Sequence, residues 1–258
     1  MLISSAQLTV FLLVLARVIG LFASAPLFNS RSFPAFPKVA LAVWVAGLLW
    51  FVIPVNVENL PLTSMQIVMS LTSEAVIGLA MGFLTNMVFL VVQAAGEIID
   101  MQMGLSVAQS FDPVFGAQIS VIGRLTFFIA LMVFLIVNGH HLLLSALNQS
   151  FRVIPAGQIL NLSSPALMLQ LIELGTKFWA LALQFAGPIV LIIFLSDFAF
   201  GIVSRVAPQV NVFMLGFQVK PALGLIGLVF TLPLVVKHVA GLVELMAETA
   251  FKLLLAVR

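Results

Sequence analysis

Gly96-Glu-Ile-Ile-Asp100-Met-Gln-Met-Gly-Leu-Ser106-Val-Ala-Gln-Ser-Phe111-Asp-Pro-Val-Phe-Gly-Ala-Gln-Ile-Ser-Val-Ile-Gly123 lies between long apolar runs and resembles neither a membrane span nor a solvent loop. It carries two carboxylates, a Met pair at Met101 and Met103, glycines, amides and a Phe-Asp-Pro-Val-Phe-Gly turn. A segment of such mixed character held between spans is suited to lining or closing a passage. Asp112-Pro113 favours turn initiation and Gly116 permits a tight return. Phe111 and Phe115 make the tip apolar, so it is suited either to stopping a lumen or to dipping into a membrane interface.

The residues on either side fix the class. Of the 258 residues, 62% are hydrophobic and 8% charged, and the mean hydropathy is +1.24, whereas soluble domains carry about 25% charge. Apolar stretches long enough to cross a bilayer as helices recur along the chain, about 20 residues being sufficient. Barrel strands run to about 10 residues with alternating polarity, a pattern absent here. The expectation is an all-α membrane protein of long, partly broken helices in hairpins. Net charge is +2 with no basic cluster, so nucleic-acid binding has no support. The absence of cysteine removes disulfides and thiolate chemistry.

Upstream, Leu8 to Phe28 is the first expected span, and Arg17 within it must face protein or water. Its charge lies inside the apolar run and no cleavage site follows, so it reads as structure and not as a signal peptide. Pro34 and Pro37 mark a turn, Val39 to Val55 a short second span closed by Pro54, and Asn56 to Thr63 another turn. The third span begins near Ser64, contains Glu74, and has Gly78 and Gly82 at a spacing that lets helices approach closely. Nothing in Gln93 to Met103 forces a break, so the sequence predicts one helix of roughly 40 residues and about 60 Å, twice the hydrocarbon thickness. Glu97 and Asp100 then share a helix face. They form either a polar wall facing a passage, with pliable Met101 and Met103 beside it, or a solvated helix end.

Downstream, a fourth span is expected over Ile122 to Leu147, with Arg124 near its start and Asn138-Gly139-His140-His141 inside. Adjacent histidines with no nearby carboxylate do not make a metal site. After a connector over Ser150 to Ser164, a fifth helix starts near Pro165, and Gly187-Pro188 is expected to kink or break it. Ser196 to Lys220 embeds Asp197, Arg205, Gln209, Asn211 and Lys220 among large apolar residues. It reads as a re-entrant hairpin whose polar groups satisfy one another, or as a subunit contact or lumen wall. An apolar run from Pro221 to Val236 precedes an amphipathic helix over Lys237 to Arg258, with Glu244, Glu248 and Lys252 at four-residue spacing. Scattered basic residues give a weak positive-inside signal. With Arg17, Glu74 and Lys177 inside apolar runs, part of the chain is expected to be wrapped in protein and not lipid.

Ser204-Arg205-Val-Ala-Pro208-Gln209-Val-Asn211-Val212-Phe213, followed by Gly216 and Lys220, resembles the signature of the FliR family. That family is the R component of the type III export gate, flagellar and virulence-associated. Arg17 with Pro26, the Glu-Ile-Ile-Asp core and Phe111-Asp112-Pro113 fit the same pattern, and the likeness spans the whole chain. Gln218 departs from it, where the family pattern has a proline. The resemblance implies a single membrane domain over 1–258, divided as helices to 105, a plug-like loop over 106–121, helices over 122–200, a re-entrant turn over 201–220 and a C-terminal helix.

It also implies one copy completing a helical pore with P-type and Q-type subunits in the bacterial inner membrane, within the flagellar basal-body ring, for export of unfolded flagellar substrates. A B-type switch protein and an export ring protein are further implied partners. The plug role then falls on Ser106 to Gln118, with Gln109, Phe111, Asp112, Pro113, Val114, Phe115 and Gly116. No phosphate-binding glycine loop, zinc-binding His-Glu-x-x-His or nucleophile triad is present, so neither enzymatic activity nor a cofactor is expected. The competing expectation is a free-standing polytopic secondary transporter with a substrate site at broken helices.

Overall fold

The computed structural model describes residues 5–26, 28, 34–53, 63–106, 120–160 and 164–257, and no strand occurs among them. The described helices are α1 (Ser5–Ser24), α2 (Ala35–Val52), α3 (Ser64–Met103), α4 (Val121–Ile136), α5 (Gly139–Val153), α6 (Pro165–Val206) and α7 (Val212–Val257). Five are individually long and apolar enough to cross a bilayer, and α4 with α5 make a sixth candidate if taken together. The all-α membrane class expected from composition is therefore what the chain adopts.

The third helix reaches its expected 40 residues. Elsewhere the elements differ from expectation. α2 begins at Ala35, four residues early, because Pro37 falls in its first turn, where no intrahelical N–H is required. The fourth span is interrupted: Asn138 takes φ +56°, a left-handed conformation that asparagine tolerates better than most residues, and separates α4 from α5. Conversely, α6 is not broken at Gly187-Pro188. Phe185 and Ala186 before the proline and Ile189 and Ile193 after it are buried on one stripe, which holds both halves in register. α7 likewise continues through Pro221 and Pro233, so the segment after Lys237 is its last part and not a separate helix. The turn expected over 201–220 is confined to 207–211, with Asn211 Oδ1 accepting from the Met214 N–H at 3.2 Å as a helix N-cap.

The chain forms two compact units. One comprises Met1–Val88, Val137–Leu174 and Leu242–Arg258; the other comprises Phe89–Ile136 and Gly175–Gly241.

In the first unit, Val10, Val14, Val18 and Leu21 form the buried stripe of α1, continued by Ala25 just past its end. It packs with Ala42 and Ala46 of α2, Ile77 and Met81 of α3, and Leu143, Leu147 and Phe151 of α5. Between apolar helices in a membrane, close fit replaces water exclusion as the source of stability. The seam of α1 with α3 shows this. A Cβ on Gly78 would overlap the Arg17 carbonyl oxygen and lie 2.8 Å from the Leu21 nitrogen, and one on Gly20 would lie 2.9 Å from the Leu79 nitrogen. Ser24 Oγ donates across the same seam to the Leu79 carbonyl at 3.0 Å.

In the second unit, Phe89 of α3 meets Phe127 and Phe134 of α4 at centroid distances of 5.7 and 5.3 Å. One to two turns on, Gly96 lies against Gly123 so closely that a Cβ on Gly96 would lie 2.7 Å from the Gly123 Cα. Thr126 Oγ1 donates to the Val92 carbonyl at 3.1 Å beside that crossing. Ala182, Phe185 and Ile189 of α6 complete the buried layer with Leu228 of α7.

Because the Gly78 seam leaves no room for a side chain, Gly78→Val should destabilise the protein by about 3 kcal/mol or more. Gly47, with nothing within 4 Å of an added Cβ, should gain about 0.5–1 kcal/mol as alanine through helix propensity. Thermal unfolding in mild detergent checks both signs.

Candidate functional site

The second unit carries the base of the segment that separates α3 from α4. The last turn of α3 divides the residues expected to act together. Met101 is 67% exposed, whereas Met103 is fully buried. Met103 sits in a notch of α7 where Gly224 lacks a side chain; a Cβ there would overlap Met103 Cε. Gly104 follows at φ +79°, a conformation that suits glycine, with its face against Phe217. Ser106 is half-buried. Gln109, Phe111, Asp112, Pro113, Val114, Phe115 and Gly116 lie outside the described residues.

The carboxylates also part company. Glu97 is exposed and accepts from Gln93 Nε2 at 2.9 Å, as a solvated helix residue does. Asp100 is buried and its Oδ1 accepts from the Ile122 N–H of α4 at 3.4 Å. A shared face in the sequence thus becomes one open group and one tied group.

The α6–α7 hairpin of the same unit carries the other motif. Lys220 Nζ meets Asp197 Oδ1 at 2.5 Å, closing the hairpin below its turn. Ser204 Oγ donates to the Gly201 carbonyl at 2.8 Å, within its own helix. Arg205, Pro208 and Gln209 are exposed, Val212 is half-buried, and Phe213 is exposed with its ring edge-on to Phe217 at 4.9 Å. The expectation that the embedded polar groups satisfy one another therefore holds for Asp197 with Lys220 and not for Arg205, which makes no ion pair among the described residues.

Arg17 belongs to the first unit and is fully buried with Glu74, its Nε donating to Glu74 Oε2 at 2.5 Å. Nη1 donates to Ser150 Oγ at 2.9 Å and Nη2 to the Ile154 carbonyl at 3.0 Å, with the guanidinium 3.9 Å from the Phe151 ring centroid. Glu74 Oε1 in turn accepts from the Gly157 N–H at 2.9 Å. One charge pair thereby joins α1, α3, α5 and the following turn. Glu74 and Asp197 were legible in the sequence as charges that need partners, but not with which residues they pair, and Ser150 was not singled out. The available signal was charge matching: two opposite charges inside apolar runs each require a partner. The His140 and His141 rings lie 4.3 Å apart at a tilt of 54°, and no group of three potential metal ligands occurs among the described residues.

The model of the family described as bacterial export proteins, family 1, matches residues 8–246. The flagellar biosynthetic protein FliR of Bacillus subtilis is 34% identical over 245 residues, covering 95% of this chain and 94% of the relative. FliR of Escherichia coli K12 is 32% identical over 86% of this chain and 83% of its own length. Surface presentation of antigens protein SpaR of Salmonella typhimurium is 30% identical over 82% of this chain and 78% of its own length.

Arg17→Met leaves a buried carboxylate and two acceptors without their donor, and should cost about 3–5 kcal/mol. Arg17→Met with Glu74→Met removes both charges and should recover part of that loss. Chemical denaturation of the three proteins in one detergent gives the coupling; strictly additive losses would contradict it.

Proposed function

The chain belongs to the family of bacterial export proteins, family 1, and from that membership we propose that it is the R-type subunit of a flagellar type III export gate. It works in the bacterial inner membrane within the basal body, completing a protein-conducting pore with P-type and Q-type subunits. One structural observation carries the reading beyond membership. α3, α6 and α7 have 40, 42 and 46 residues, so each has a contour of about 60–70 Å at 1.5 Å per residue, twice the hydrocarbon core. Exposed large apolar side chains continue along α6 from Met168 to Val206 and along α7 from Phe213 to Leu255. Lipid can cover only about half of such a length. The remainder requires protein, as in a subunit embedded in a larger assembly.

The function is passage and closure without chemistry of the chain's own. Residues 106–118 act as the plug of the closed channel, Phe111 and Phe115 presenting an apolar tip and exposed Met101 a pliable neighbour. An apolar constriction excludes water and ions by dewetting yet deforms at little cost when an unfolded chain passes. Arg205, Pro208, Gln209 and Phe213, exposed at the hairpin turn, contact other subunits. The B-type switch protein and the export ring protein are further partners. The transporter reading loses its main support, because the helices on which it placed a broken substrate site run through Pro188 and Pro233.

Co-expression with P- and Q-type partners from the same genome should yield one large complex in mild detergent, with a single copy of this chain by native mass. A stable monomer indifferent to those partners would reject the proposal. In planar bilayers, the complex lacking Phe111 to Phe115 should conduct ions where the intact complex stays closed. Equal conductance of the two would remove the plug role while leaving the assembly in place.

A further inference from the structure

We infer that the polar face of α5 is a wall of the water-filled passage along which the exported chain moves; this deepens the export-gate reading and rests on it. Leu143, Leu147, Ser150 and Phe151 turn one side of α5 into the core of the first unit. On the opposite side His141, Ser145, Asn148, Gln149 and Arg152 recur at three- and four-residue spacing, and all but the half-buried Asn148 are exposed. Leu142 and Leu144 stand only at the margins of that face. The exposed faces of α2 and α4 are of another kind, with Trp44, Leu48 and Phe51 on one and Phe128, Met132 and Ile136 on the other.

Place and chemistry together narrow what this face meets. α5 belongs to a stretch that, taken with α4, is long and apolar enough to cross a bilayer. Polar residues within a span face the protein interior or a water-filled cavity and not hydrocarbon. The interior lies on the other side of α5. Among the described residues, Ser145, Asn148, Gln149 and Arg152 make no side-chain hydrogen bond or ion pair, so their polar groups are free to bond outward. Between Ser145 and Gln149 of α5 and Ala247 and Phe251 of α7 lies a recess of about 60 Å³, polar enough and roomy enough to hold water.

The composition of the face suits passage better than ordinary solvation. A soluble surface intersperses charges of both signs, whereas α5 has no carboxylate and Arg152 is its one permanent charge. Rings of charged side chains select ions and would likewise hold or repel segments of an unfolded chain according to their charge. Amides and hydroxyls exchange hydrogen bonds with water and with a passing backbone alike. The face is also braced from behind. Arg17 ties Ser150 Oγ and the Ile154 carbonyl at the end of α5, and Ser70 and Ser73 of α3 donate to the Gly157 and Gln158 carbonyls of the turn that follows, each at 3.0 Å. A wall so supported keeps its place while a chain moves past it.

The chain has no cysteine, so single thiols can be placed and read one at a time in the full-length chain assembled with its P- and Q-type partners in membrane vesicles. Ser145→Cys, Asn148→Cys and Arg152→Cys should react with a membrane-impermeant maleimide applied to both sides of the membrane. Arresting an export substrate in transit, by fusing it to a domain too stable to unfold, should slow that reaction about fivefold or more, because thiol reactivity follows access. Trp44→Cys, on the apolar face of α2, should gain no such protection. Each of the three positions decides by itself, so a variant that does not assemble leaves the others to answer. Thiols that react in this chain alone and not in the complex would make the face a polar subunit contact, overturning the inference and sparing the gate. Reaction in the complex that an arrested chain does not slow would place the face in outer water and overturn it too, as would equal protection of Trp44→Cys. Failure of the chain to join its P- and Q-type partners would overturn the export-gate reading and this inference with it.

Discussion

A helix of 40 or more residues is about twice as long as the hydrocarbon core of a bilayer is thick, and three helices of this chain have that length and an apolar stretch fit to cross one. Most other features answer to that constraint. Two charge pairs that hydrocarbon would reject are admitted, one in protein-lined surroundings and one near helix ends. Arg17 and Glu74 are wholly enclosed by side chains and backbone, whereas Asp197 and Lys220 remain part-exposed close to the α6–α7 turn. The weak bias of basic residues follows as well. The positive-inside rule sorts loops across a membrane, and its signal weakens in a chain whose elements are not divided simply into spans and loops.

Prolines show the same dependence from the opposite side. A proline removes one intrahelical hydrogen bond and crowds the preceding turn, and in a solvated helix that is commonly enough to end it. In α6, buried Phe185, Ala186, Ile189 and Ile193 flank Pro188 and leave the two halves no independent place to pack. At Asn138 the balance reverses. No proline is present, yet the helix stops, because an αL residue followed by Gly139 provides a route out of the helix.

How much of this was legible in the sequence depends on the range of the interaction concerned. Composition and apolar run length are local sums, so the class, the long third helix and its Gly78 approach could be read directly. The hairpin motif was legible as a likeness, whereas the Asn211 cap was not, because the helix it starts was expected only from Pro221. Breaks were misjudged in both directions, because proline was weighed by intrinsic propensity while tertiary packing decided the outcome. Glu97 and Asp100 looked equivalent at a spacing of three. They differ because the Asp100 carboxylate is buried against the Ile122 N–H of α4, 22 residues away, whereas the Glu97 carboxylate stays exposed beside Gln93. Met101 and Met103 were likewise grouped by adjacency and separated by the notch at Gly224. Arg17 and Glu74 could each be seen to need a partner, but 57 residues lie between them and only the fold joins them.

That pair raises a further point about specificity. Replacing a buried ion pair with well-packed apolar residues is often neutral or favourable for stability, so its presence asks for another account. The seam it occupies supplies one. Ala16, Gly20 and Ser24 recur every four residues on α1, Gly20 lying against Gly78 and Ser24 against Gly82 of α3. A slide of α1 by one turn, about 5.4 Å, would bring small residues against small residues again, and close packing alone would discriminate poorly between the two registers. The same slide would carry the Arg17 guanidinium away from Glu74 by a full turn and leave two charges uncompensated in a dry interior, at a cost of several kcal/mol. Ser150 Oγ and the Ile154 carbonyl would lose their donor in the same movement. The glycines let the helices meet, and the charges determine where.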